Sequence, residues 1–329
     1  MADTVKNDGI EKTLTKAFTA SSKKDATAEK RKFSRIIEAA MKTETGRETL
    51  KTLTSLGYSF AFEKGEFGGY CDPDNKRIVI NPSVSFEYSC GVVVHEATHA
   101  IQDSLEDKEK MPSWFETKVA DYLRNERATE ADATAHENAF LYECKDVLPK
   151  VYQYAKEINR PMFNAYVAEM EKSGDKKAAM QSSFAAWYEF DDYRKTYDNH
   201  HKGTILEVAD WGKSENDKEC FSKEYPAEDV LKMCLFEGKP YMTPEFLNTG
   251  KAFSITKKDR DEMTKKISDY AKAVGVAPDT SLMTMNLRDE QGNLIKTAAP
   301  KQSLMSKIRD AQKTIAGKFR PCKGRDGGR

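Results

Sequence analysis

The sequence predicts an α+β fold, in which a small antiparallel sheet leads into a buried helix carrying His95-Glu96-Ala97-Thr98-His99 and a helical lobe follows. Three observations carry that expectation. Residues 58–80 hold three short alternating or β-branched runs separated by turn formers. The apolar run Val92-Val93-Val94 leads straight into the first histidine. From about residue 114 to 200 apolar side chains recur at helical spacing, with Pro112, Pro161 and Gly174 as punctuation.

Taken in chain order, residues 1–30 are rich in Lys, Ser, Thr, Ala and Asp without a strong apolar face, and are expected to be a mobile polar leader or a weak helix. Phe33, Ile36, Ile37, Ala40, Met41, Leu50, Leu53 and Leu56 then recur at helical spacing up to Gly57, a helix stop. The runs 58–63, 68–71 and 77–80 read as strands, the last two joined by Asp72-Pro73-Asp74-Asn75. Asn81-Pro82-Ser83 ends the sheet, and helices are expected near 114–144, 147–173 and 178–199, then at 227–236 and 258–274. These elements suggest a main domain over 31–250, a helical and turn-rich extension over 251–300, and a basic, disordered tail over 301–329.

Bulk composition narrows the function. The 329 residues can bury a large core, and the 53 basic and 53 acidic residues cancel, which points away from nucleic acid as a partner. No run approaches the ~18 apolar residues of a membrane span, and the first residues lack the apolar stretch of a signal peptide. A cytoplasmic protein is expected, or one exported by a system that needs no signal peptide. Six cysteines without a CxxC pair read as reduced thiols.

The chemistry sits in the His-Glu motif. An i, i+4 spacing puts His95 and His99 on one helix face, where both rings can ligate one Zn²⁺, with Glu96 beside them as a general base. Random placement of the chain's five histidines and its glutamates would give roughly 0.007 such matches, so chance is a weak explanation. A catalytic zinc needs a third protein ligand, and the segment after His99 has no HExxHxxGxxH histidine, so a carboxylate is expected. The alanines at 128, 131, 133 and 135 would let a second helix lie close. Glu130 is preferred as the ligand, with Glu126 one turn earlier as the alternative. Asp132 is a candidate to accept the outer N–H of a ligand histidine, whereas His136 reads as an ordinary helical histidine.

At Gly68-Gly69-Tyr70, Ile78-Val79-Ile80-Asn81-Pro82, His95 to Gln102 and Glu130-Ala131-Asp132-Ala133 the chain resembles a family of bacterial zincin metallopeptidases. The likeness extends through Phe184-Ala185-Ala186-Trp187 and Tyr197-Asp198, over roughly residues 45–250. It implies a gluzincin site with His95, His99 and Glu130 as ligands, Glu96 as base and a protein or peptide as substrate. Some relatives in the wider group are effectors delivered into host cells, so the resemblance also admits a host-protein target. The chain departs from the Asn-Glu-x-x-x-Asp pattern of better-known gluzincins, since Asn125-Glu126 has no Asp four residues on.

An oxyanion donor is expected from 187–201, with Tyr197 and His200 as candidates against a packing stripe of Trp187, Phe190, Tyr193 and Tyr197. His200-His201 makes a poor second metal site, because adjacent helical side chains point apart. The basic end over 318–329 is a candidate export signal or anion-binding patch. Two other functions fit the same motif: a catalytically silent zincin-like binding module, and a zinc amidohydrolase acting on a non-peptide amide.

Overall fold

The computed structural model describes residues 2–295, with side chains from residue 9 onward. Helices α1 (Ala2–Lys16), α2 (Ala26–Ala40) and α3 (Glu44–Ser55) open the chain, and the two-residue strand β1 (Phe18–Thr19) lies between the first two. Strands β2 (Ser59–Phe62), β3 (Gly69–Asp72) and β4 (Arg77–Ile80) follow. Residues 14–19 are therefore not a mobile leader. Leu14 is buried, and Phe18 stacks on Phe33 at 4.5 Å while pairing with Phe60 across the sheet. Two apolar side chains suffice where a distant strand supplies the backbone partners, a gain that local composition does not register.

The sheet is mixed and not antiparallel. Its order is β1-β2-β4-β3, with β1–β2 and β2–β4 parallel and only β3–β4 antiparallel. The link over 63–68 carries the chain past the position of β4, so β3 starts at the outer edge and β4 turns back between β2 and β3. Strand pairing at this range depends on topology, which alternation along one strand does not specify.

Ser85 accepts a hydrogen bond from the Tyr88 amide (3.1 Å) and so starts α4 (Phe86–Leu105), the helix bearing the His-Glu motif. Cys90, Val92, Val93, Val94, Ala97 and Ala100 are all buried, and burial on most of its circumference overrides the weak helix propensity of three consecutive valines. The long helix α5 (Val119–Val147) packs against α4, and its Phe140, Leu141 and Cys144 share a core with Val93, Val94 and Ala97. The rest of the helical lobe is α6 (Pro149–Ile158), α7 (Pro161–Ser173), α8 (Lys176–Glu189) and α9 (Asp191–Glu215). Helix α5 begins at 119 because Lys118 donates its amide to the Lys223 carbonyl (2.7 Å), pulling the preceding residues into a crossover with 221–223.

After α9 the chain forms α10 (Ala227–Val230), a hairpin of β5 (Leu235–Phe236) and β6 (Lys239–Pro240), α11 (Pro244–Leu247), β7 (Ser254–Thr256), α12 (Lys257–Val274) and β8 (Asn286–Arg288). The helix expected over 227–236 thus stops after one turn, and a hairpin takes its second half. No break falls at residue 250, because Ile255, Met263, Ile267 and Tyr270 share a core with Val119, Leu123 and Ile205. Asp279 and Ser281 also cap the first two amides of α5 at 2.8 and 3.0 Å. Among the described residues no helix is long and apolar enough to cross a membrane, and the five cysteines present are free. The tail over 301–329 lies outside the described residues.

Asp198 ties α9 to this C-terminal part. Its carboxylate accepts from Arg127 Nε (2.7 Å) and from the Arg288 guanidinium, all three side chains being buried. Burial pushes the Asp198 carboxyl up, but Arg127 and then Arg288 outweigh it and hold the group below its ordinary value of 3.8. A depressed carboxyl adds stability above its unfolded-state value, and that stability is lost as pH falls through the folded-state value. Replacing Asp198 by Asn should therefore cost about 3–5 kcal/mol at pH 7 by leaving two buried guanidinium groups unpaired. In urea unfolding, the gap between variant and parent should narrow below about pH 4; a gap constant from pH 7 to 3 would contradict this account.

Candidate active site

Two helices build the site. From α4 come His95 and His99 on one face, and from α5 comes Glu130 opposite them. His95 Nε2 and His99 Nε2 stand 3.2 Å apart. Glu130 Oε2 lies 3.5 Å from His95 Nε2, and Oε1 lies 3.4 Å from His99 Nε2. Glu130 Oε2 is buried without a hydrogen-bond partner. Burial raises the Glu130 carboxyl, yet His99 and His95 carry it well below the ordinary carboxylate range. Both histidines are shifted up despite burial, chiefly by Glu130. Three convergent donors around one point thus form a cluster that could hold a metal ion.

The outer ring nitrogens are held too. His99 Nδ1 stands 2.9 Å from Gln102 Oε1. The Gln102 amide donates to Asp132 Oδ2 (2.7 Å) and to the Thr129 carbonyl (3.0 Å), so its oxygen is the end left for the ring. Tyr241 donates to the other oxygen of Asp132 (2.8 Å). Asp132 therefore acts one side chain further out than the sequence suggests, because Gln102, three residues after His99, takes the position next to the ring. On the other side Glu137 Oε2 faces His95 Nδ1 at 3.5 Å. Gly91 makes room for it, since a Cβ there would meet Glu137 Oε1 at 2.7 Å. With its Nδ1–H given to Gln102, His99 points its Nε2 lone pair at the common centre, and His95 Nδ1 lies towards Glu137 without a hydrogen bond.

Glu96 is buried on the turn between the two histidines, beside the edge strand β3; a Cβ on Gly69 would come within 3.3 Å of Glu96 Cγ. Burial raises its carboxyl, which the two histidines oppose. Glu126, one turn before Glu130, stays out of the three-residue cluster, and burial followed by the Glu130 charge pushes its carboxyl up to about 7.

Of the candidates on α9, Tyr197 reaches the site and His200 does not. The Tyr197 hydroxyl, raised first by burial, lies close enough to Glu130 for that charge to raise its pKa further, and stands 3.4 Å from the Tyr193 hydroxyl. His200 is exposed, whereas His201 is buried, stacked on Tyr197 at 6.4 Å and 3.3 Å from the Tyr122 hydroxyl. The helical phase of α9 follows Asp198, which is anchored inward, so the residue three places on faces in. His136 binds the Leu235 carbonyl (3.0 Å), as an ordinary helical histidine does. Sequence reasoning missed Glu137, Gln102, Tyr193 and His201. Two of them had a local signal: Glu137 lies two turns from Glu130 on the same face, and Gln102 lies one turn from His99.

A family model described as "Putative metallopeptidase family (DUF6782)" matches residues 11–241. Neither a curated protein nor a solved structure matches the chain. The matched span holds the whole cluster and its supports as far as Tyr241.

Gly91→Ala should push Glu137 off His95 while leaving α4 helical. Competition with a chromogenic chelator should then show a metal affinity lowered about ten- to a hundredfold, the usual cost of losing an outer hydrogen-bond partner. An unchanged affinity would deny Glu137 that role.

Proposed function

The chain belongs to the family that this model describes, and from that premise we propose a zinc-dependent metallopeptidase of gluzincin type, with His95, His99 and Glu130 as metal ligands and Glu96 as general base. The spacing of the donors carries the reading. Four ligands about 2.1 Å from a tetrahedral zinc stand about 3.4 Å from one another, and the three donor pairs here measure 3.2, 3.4 and 3.5 Å. That agreement, the orphaned Glu130 Oε2 and the outer neighbour of each ring, Gln102 hydrogen-bonded to His99 and Glu137 3.5 Å from His95, suit a dication with one open position.

When bound, zinc supplies a Lewis acid and lowers the pKa of water to about 7. The chain supplies the remaining functions. Glu96, to which no described side chain donates a hydrogen bond, takes a proton from the attacking water and delivers it to the leaving amine. Tyr197, with its hydroxyl at Glu130 and pushed far up by burial, stays protonated and donates to the oxyanion of the tetrahedral intermediate. Strand β3 leaves one side of its backbone unpaired beside Glu96, which suits a peptide laid along it as an added strand.

Elemental mass spectrometry of chelator-free protein should find near one zinc per chain, lost in His95→Ala and Glu130→Ala and retained in Glu126→Ala. Glu96→Gln should keep the metal and lose about 10²- to 10⁴-fold in peptide turnover. Protein that takes up no zinc after reconstitution would overturn the proposal, and zinc-loaded protein whose turnover is unaffected by Glu96→Gln would remove the assigned base.

A further inference from the structure

Beyond His99 the same two helix faces that carry the metal ligands diverge into a cleft of about 580 Å³. Asp103 follows His99 by one turn on α4, and Glu106 caps the end of that helix. On α5, Glu126 and Tyr122 precede Glu130 at one and two turns. The cleft wall carries five carboxylates (Asp74, Asp103, Glu106, Glu116 and Glu126) against a single cation, Lys108, which is already 2.6 Å from Asp103. Glu116 is tied to Lys223 and Ser113, and Glu106 accepts only the Tyr225 hydroxyl. No described side chain donates to the Glu126 carboxylate, which lies nearest the metal cluster.

A second observation is independent of charge. Asn125 is only 7% exposed and lines the same cleft, with its Oδ1 accepting from Arg124 Nε and its Nδ2 without any partner. A buried amide N–H without an acceptor costs about 1–3 kcal/mol unless a ligand satisfies it, and the acceptor that a bound peptide brings is a carbonyl. At the rim, Trp114 is 55% exposed, a flat apolar surface for the methylene stem of a long side chain.

We infer that this cleft is a substrate subsite for a lysine or arginine side chain of the peptide, with the cation at Glu126 and a peptide carbonyl on Asn125 Nδ2. The inference rests on the peptidase reading and specifies its substrate class. A neutral side chain would leave Glu126 and its neighbours facing one another uncompensated, so the selectivity comes as much from the penalty on the wrong residue as from the new ion pair.

Binding separates this inference from turnover. The full chain carrying Glu96→Gln, reconstituted with zinc, is titrated into fluorescent peptides that differ only in lysine or norleucine, the substitution being walked along the peptide. Anisotropy should show about tenfold tighter binding of the lysine peptide at one position, weakening with salt. Adding Glu126→Gln should collapse that preference to under about twofold, and Glu126→Lys should transfer it to a glutamate peptide. Zinc content and circular dichroism of each variant report that the fold is retained. Equal binding of lysine and norleucine peptides at every position, a preference that survives Glu126→Gln, or no binding of any peptide would each overturn the inference. Absence of zinc or of cleavage by the parent chain would sink the peptidase proposal alone, since a lysine preference remains measurable without either.

Discussion

The structure turns on one distance, the separation of α4 and α5 where three donor atoms from two helices must stand 3.2–3.5 Å apart. Helices with bulky facing residues pack some 8–10 Å between axes and leave side chains interleaved along the seam. Here the small residues Ala128, Ala131 and Ala135 of α5 let α8 and the β5–β6 region come close, and Ala133 is buried as well. Gly91 on α4 admits Glu137 in the same way. The sheet and α2 and α3 fix α4 from behind, and α7 and α8 fix α5, so neither helix is free to widen the gap.

Charge sets the second constraint. Glu96, Glu130 and Glu137 crowd around two histidines, and Arg160 stands 3.8 Å from Glu137. Buried carboxylates in such number are tolerated only with compensating positive charge, from protons on the rings or from a metal that displaces them. The opposite imbalance lies close by. Asp198 sits between Arg127 and Arg288, and Arg194 is buried nearby on the same helix. Tyr197 and Asp198 are consecutive on α9, so the turn that anchors the carboxylate among the arginines also delivers the phenol to Glu130. The ion cluster therefore positions Tyr197 beside the His95-His99-Glu130 cluster.

What the sequence revealed depended on the range of the interaction behind each feature. The His-Glu helix, and Glu130 as a residue that converges on it, were legible because i, i+4 spacing is a local rule, whereas the alanines expected at that helix contact are buried against α8 instead. Strand positions were legible within a residue or two, but not their directions, which the 63–68 link decides. The part played by residues 14–19 was hidden, because Leu14 and Phe18 gain their packing from Phe33 and Phe60, distant in the chain. His200 was chosen over His201 for want of the phase of α9, fixed by Asp198 pairing with Arg288 ninety residues away. Glu137 and Gln102 lay in plain view on the right faces, yet only the tertiary contact says which outer partner each ring receives.

The mixed order of the sheet has a consequence that a simple meander would not. In an order β2-β3-β4 the middle strand would have both sides filled, and the edge would fall to β4, the strand that feeds α4. Parallel pairing of β2 with β4 instead leaves β3 outermost among the described strands. Gly69 on that strand lies where a Cβ would meet Val92 Cγ1 at 2.5 Å and the Val79 carbonyl at 2.8 Å, so a glycine is what lets the strand press onto α4 one turn before His95 and beside Glu96. An unpaired backbone edge is a hazard on most surfaces. Here it lies beside the buried Glu96 carboxylate and the His95-His99-Glu130 cluster, where the proposed peptidase would lay its substrate, and the sheet topology accounts for it without reference to any ligand.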